Sequence, residues 1–287
     1  MGTTKLRGFE WAGLRLALEA PAGWIWDWPA ALLQRICHPE EDPDVYVSVH
    51  PLREHRPLEH VRSYSHEGSL FEVGSIDGED HLVVTEDRRL ARFDSEIRRC
   101  DVWLPPSAIR SRVFPLAKPL DDLILIHRAL VRGALTVRAT AAVRQGRALV
   151  VLGDSCLGDA KPGTAMWEGW LLLEPRDDGI WVQPLPSTRQ TGPTVRAGAL
   201  LEGLHVVDSE ANDDSLTRTL VSEVAAGEIL RFAFAPLAGS NSSDRLLTIA
   251  TGLAERVSMV QLGATSGRRF GWRTARSPHS LVTPAGA

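Results

Sequence analysis

Cysteine is scarce: the chain has three in 287 residues, at Cys37, Cys100 and Cys156. So sparse and odd a set argues against a disulfide framework and points to a reducing, cytoplasmic setting. Long apolar runs are also missing. The longest, such as Ala148 to Leu152 and Leu171 to Leu173, are strand-sized, well below the roughly 18 residues of a membrane span. Lys5, Arg7, Glu10 and Arg15 interrupt the start, so no signal peptide is expected. Leu6 stands where a myristoylated terminus requires Ser or Thr. No basic run exceeds two residues (Arg88-Arg89, Arg98-Arg99, Arg268-Arg269), and Lys+Arg 32 against Asp+Glu 36 leaves a formal charge of -4. A nucleic-acid partner is therefore not expected. Tyrosine is rare too, two against nine Trp.

The remaining composition, 44% hydrophobic and 24% charged, is that of a folded globular chain with a sizeable core. The first ~115 residues read as short strands and turns, with strands at 14–18, 45–49, 82–85 and 109–114. Asp77-Gly78 marks a tight turn. Pro119 opens a helix through Leu123, Ile126, Leu130 and Val131, with acid in its first turn and Gly133 as its stop. Ala134–Val143 and Ala148–Leu152 flank a four-residue turn holding Gly146. The second run is continuously apolar, as in a buried central strand. Further strands are expected at 170–173, 180–182, 228–234 and 258–262. Helices are expected over 213–226, stopped by Gly227, and over 241–257, with Leu246, Ile249, Leu253 and Val257 on one face.

Gly153-Asp-Ser-Cys-Leu-Gly158 follows the central strand. A strand, Gly-x-x-x-x-Gly and then a helix is the layout of a phosphate-binding loop. Its glycines turn backbone N–H groups towards a phosphate. A Lys then neutralises phosphate charge, and a Ser or Thr holds magnesium. Here Asp159 and Ala160 stand at those two places.

From about Leu120 to Gly271 the chain resembles the HPr kinase/phosphorylase family, especially short relatives encoded beside peptide-modifying enzymes. The resemblance rests on 133–155 (GALTVRATAAVRQGRALVVLGDS), on Gly169-Trp-Leu-Leu-Leu-Glu174, on Gly179-Ile-Trp-Val-Gln-Pro-Leu-Pro186 and on 254–262 (AERVSMVQL). It implies an α/β fold: an HPr-kinase/PEP-carboxykinase-like P-loop core with a mixed sheet at 119–276. A small β-rich region would precede it at 1–118, and a loose tail would follow at 277–287. The implied nucleotide loop is Gly153, Asp154, Ser155, Gly158, Asp159, Ala160 and Lys161. The family's strand His is replaced by Arg138, and its acidic pair is reduced to Glu174 before Pro175.

The departures fall on charge-handling positions. A unit charge about 4 Å from a phosphate is worth ~4 kcal/mol at an effective dielectric near 20, so Lys replaced by Asp costs ATP affinity severely. The resulting expectation is a non-catalytic pseudokinase that binds a peptide or protein partner, without a cofactor. The alternative is an active ATP- and Mg2+-dependent Ser/Thr kinase in which Lys161 meets the phosphates and Glu174 is the base. The resemblance also implies a homo-oligomer.

Trp24, Trp26 and Trp28 alternate, so an extended backbone would place three rings on one face. They serve either as core or as a platform for a partner. His50, His55, His60 and His66 recur at spacings unlike the i, i+4 pair of helical zinc sites, so no metal is expected. Cys156 fills the glycine loop. Asp208, Glu210, Asp213 and Asp214 read as helix-capping acids, and Arg268-Arg269 as a solvated pair.

Overall fold

Period-two alternation of apolar and polar residues dominates the first half of the chain, and it builds strands. The computed structural model describes residues 4–11, 14–29, 36–37, 42–53, 58–66, 68–76, 79–153, 162–185, 188–193, 195, 198–208, 217–237 and 240–263. These fall into two compact units, 1–132 with 235–241, and 133–234 with 242–287. Both are mixed sheets with few helices, so the chain is a strand-rich α/β protein.

The first unit carries β1 (Thr4–Trp11), β2 (Leu14–Pro21), β3 (Ile36–Cys37), β4 (Val45–Pro51), β5 (Glu59–His66), β6 (Ser69–Ile76), β7 (Glu79–Thr85), β8 (Leu90–Phe93) and β9 (Arg99–Leu104). They form one sheet in the order β3-β1-β2-β4-β9-β8-β7-β6-β5. The pairs β2–β4 and β4–β9 are parallel. Val45, Val47 and Val49 of β4 and Cys100, Val102 and Leu104 of β9 are buried, while Tyr46, Ser48, His50 and Asp101 alternate outward. Such alternation is what a sheet covered on one face requires.

Two helices come next, α1 (Pro106–Arg110) and α2 (Leu120–Val131). The strand expected at 109–114 is not formed. Pro106 sits in the first helical turn, where its missing N–H and fixed φ are tolerated, and a short helix forms instead. The expected helix after Pro119 is α2, buried in all but its last residue. Gly133, at φ +81°, lies just past its end.

The second unit holds β10 (Leu135–Arg144), β11 (Arg147–Leu152), β12 (Ala165–Arg176), β13 (Gly179–Pro184), β14 (Arg189–Thr191), β15 (Ala199–Asp208), β16 (Thr217–Thr219), α3 (Ser222–Phe232), α4 (Ser240–Arg256) and β17 (Met259–Gly263). The β10–β11 turn is tighter than expected: Arg144 pairs with Arg147, and Gln145 and Gly146 both take positive φ. That is the two-residue hairpin whose twist suits flanking strands. Pairings run β11–β10–β12–β13–β15 and back from β15 to β11, which closes a five-stranded ring. Leu200 pairs with both Arg147 and Trp181, and Leu204 with both Val150 and Met259. One edge of β15 therefore serves β11, while its other edge serves first β13 and then β17. Val137, Ala139, Leu171, Leu173 and Val182 are at most 1% exposed.

Two expectations fail between residues 213 and 234. Thr217–Thr219 is β16, paired with β17, and the helix starts only at Ser222. It then runs through Gly227 and takes in most of the expected strand 228–234. Ala225, Ala226 and Ile229 are buried at helical spacing, and that face outweighs one glycine. Only Ala233 and Phe234 are extended, bridging Val137 and Thr136 of β10. The helix expected at 241–257 is α4, and Ser258–Leu262 corresponds to β17. Asp77-Gly78 and the tail lie outside the described residues.

Candidate functional site at the carboxyl end of β11

Three strands of the second unit run parallel: β11, β15 and β17. Ligands of parallel sheets gather beyond the carboxyl ends of such strands. β11 ends at Leu152, and Gly153 comes next at φ +89°. The Gly153 N–H donates to the Arg138 carbonyl at 2.9 Å. A β-carbon on Gly153 would stand 2.9 Å from the Phe232 ring, so this exit is built for glycine. The backbone thus brings together two of the expected site residues, Gly153 and Arg138.

Arg138 lies opposite Trp170 in the β10–β12 pairing, and its guanidinium carbon is 5.8 Å above the indole. Trp170, 7% exposed, meets the Phe234 ring at 5.0 Å. Phe232 is half-buried beneath Arg231, whose guanidinium carbon is 5.3 Å from its ring. An arginine on an aromatic face gains a cation–π attraction, and the fork stays oriented. The strand exit is therefore rimmed by Arg138, Trp170, Phe232 and Phe234. The last two were not anticipated, because residues 228–234 read as a strand.

Glu174 is not brought to this place. It lies four residues beyond Trp170 along β12, about 13 Å at strand rise. Its Oε2 accepts from Arg176 Nε at 2.9 Å, Arg176 Nη2 at 2.5 Å and Gln183 Nε2 at 3.0 Å. Arg176 in turn lies 4.8 Å over Trp181, whose Nε1–H donates to Asp178 at 2.9 Å. The carboxylate is thus held in a side-chain network on the β12–β13 hairpin.

Asp154, Ser155, Cys156, Gly158, Asp159, Ala160 and Lys161 lie outside the described residues. Beyond Lys161 the chain passes quickly into a strand. Only Pro162, Gly163 and Thr164 separate Lys161 from Ala165, where β12 begins. Gly163 has φ +81°, which no right-handed helix contains. No helix follows Gly163, because β12 claims the chain from Ala165.

His205 of β15 is 8% exposed, and burial lowers its pKa from 6.5 to about 4, so it is neutral at pH 7. A β-carbon on Gly203 would approach His205 Nε2 to 2.8 Å. Asp208 ends β15 and pairs with Gly263; Glu210, Asp213, Asp214 and Arg268-Arg269 lie outside the described residues.

The tryptophan triplet belongs to the first unit. Residues 24–29 form no strand, yet their burial alternates: Trp26 is 8% exposed, while Ile25 is 65% exposed. The Trp28 ring lies 6.1 Å from Trp26, 5.6 Å from Phe9 and 5.1 Å from Phe114. Arg7 caps Trp26 and Trp28 at 5.9 and 5.6 Å. Trp24 is half-buried.

The histidines at five- and six-residue spacing are scattered. His50 contacts Asp101 at 3.5 Å, and His60 sits at φ +51°. His66 is buried against Asp122, and His55 lies outside the described residues. No group of three metal-ligating side chains exists among the described residues. Cys100 is a buried free thiol whose pKa burial raises. A groove of about 1030 Å³ opens on the outer face of the first sheet, lined by Tyr46, Ser48, Arg92, Arg99 and Asp101 among others. Its charges come from two strands and the loops beside them, so no local sequence signal marks it. Among the described residues no helix is long and apolar enough to cross a membrane.

No family model and no curated protein matches the chain.

Proposed function

We propose that the protein is a non-catalytic relative of the HPr kinase/phosphorylase family that binds a peptide or protein partner. The observation carrying this reading is the direct passage from Gly163 into β12 at Ala165. A phosphate-binding loop depends on the N-terminus of its helix for aligned N–H donors. With Asp159 and Ala160 at the Lys and Ser/Thr positions, charge and metal ligand are lost together, and β12 takes the chain from Ala165. The tethered Glu174 also lacks the freedom of a general base.

Calorimetry with MgATP on the full chain tests the reading. No binding is expected at millimolar nucleotide. The double substitution Asp159→Lys with Ala160→Ser is expected not to restore it, because β12 still begins at Ala165. Micromolar binding abolished by Lys161→Ala would overturn the proposal and favour an active Ser/Thr kinase using Mg2+ and ATP.

A further inference from the structure

In the first unit, two adjacent carboxylates open α2 inside the protein: Asp121 is 8% exposed and Asp122 fully buried. His66, at the end of β5, places Nε2 2.9 Å from Asp122 Oδ2, and neither side chain is exposed. Asp122 Oδ1 has no hydrogen-bond partner among the described residues. The Asp122 N–H donates to Asp121 Oδ1 at 2.7 Å. Among the described residues, the titratable and charged groups facing this cluster are His66 from β5, Lys118 before α2, and Arg89 from the β7–β8 turn. Lys118 Nζ reaches Asp122 Oδ2 at 4.0 Å. The charge of Arg89 is committed elsewhere. Its guanidinium donates to both Asp87 oxygens at 2.9 Å and to the carbonyls of Pro115, Ala117 and Lys118 at 3.1, 2.7 and 2.7 Å.

Two neighbouring carboxylates in so dry a place do not both ionise cheaply. Asp122 has the imidazole and the ammonium beside it, and the buried Asp121 next to it is the carboxyl that keeps its proton. We propose that Asp121, Asp122 and His66 form a protonation-operated catch, which holds β5 to the first turn of α2 while Asp121 is protonated and lets β5 go when it is not. In the releasing step the Asp121 O–H bond breaks and its proton passes to water. The new carboxylate is relieved by turning towards solvent, and that movement of the first turn draws Asp122 from His66.

Burial, and next the Asp122 charge, raise the Asp121 pKa from 3.8 to about 8. A carboxyl whose folded pKa is raised binds its proton more tightly in the closed form. Rising pH therefore works against that form, and the effect is complete above pH 8.

Hydrogen exchange of the full chain, corrected for intrinsic rates, tests this between pH 6.5 and 9.5. Amides of 59–66 are expected to lose protection by about tenfold per pH unit up to about pH 8, for one released proton, and to level off above it, while those of β9 keep theirs. Asp121→Asn is expected to abolish the loss. Unchanged protection of 59–66 in the wild type, equal loss in β9, or an equal loss in Asp121→Asn would overturn the catch. Should that variant not fold, carbon-13 titration of the wild-type Asp121 carboxyl decides: a midpoint near 8 supports the catch, and an ordinary one near 4 overturns it.

Discussion

Gly153 and Gly163 flank the same loop at nearly equal positive φ, yet their surroundings differ. Phe232 closes on the first, and nothing lies within 4 Å of the second. Gly163→Ala should lose about 1 kcal/mol from the left-handed backbone alone. Gly153→Ala should lose about 2–3 kcal/mol, because the Phe232 ring must also move. Urea denaturation of both variants beside wild type checks the order. His205 makes a second residue-scale prediction. Its folded pKa of about 4 lies below its ordinary 6.5, so protons favour the unfolded chain. Stability from this site is present above pH 6.5 and falls as pH drops towards 4. Denaturation at pH 7 and pH 4.5 should show a smaller difference for His205→Gln than for wild type.

At the scale of the element, α3 shows how packing overrides local signals. Gly227 is exposed on it, and no atom lies within 4 Å of where its β-carbon would be. The glycine is tolerated there rather than required. Gly227→Ala should therefore stabilise the protein by about 0.5–1 kcal/mol, raising the thermal midpoint by a few degrees in calorimetry. A loss of stability would mean that the helix does not continue through 227. The same logic explains α1 in place of a strand at 109–114. Pro106 can open a helix, whereas the apolar residues that suggested a strand, Ile109, Val113 and Phe114, include only one that is buried, Phe114.

For the whole molecule, what could be read from sequence tracked pattern strength. The alternation in β2 and β4, the apolar run of β11 and the one-sided stripe of α4 each carry their own period, so their type was legible. Gly153 and Arg138 were legible as neighbours because the β10–β11 hairpin is short and local. Phe232, Phe234 and the buried pair His66–Asp122 were not, since contacts spanning 56 residues in the last case leave no periodic trace. The chain by itself determined that there are many short strands, a glycine-marked exit after a buried strand and no basic residue at 159 or 160. Only the tertiary structure decided that β15 closes a ring with β11 and β13, that β12 begins at Ala165 in place of a helix, and that Glu174 stays some 13 Å along its strand from the exit. The physical reason is that strand pairing is non-local: a residue's neighbours across a sheet are set by register, and register is fixed by burial of a whole face rather than by the residue's own type.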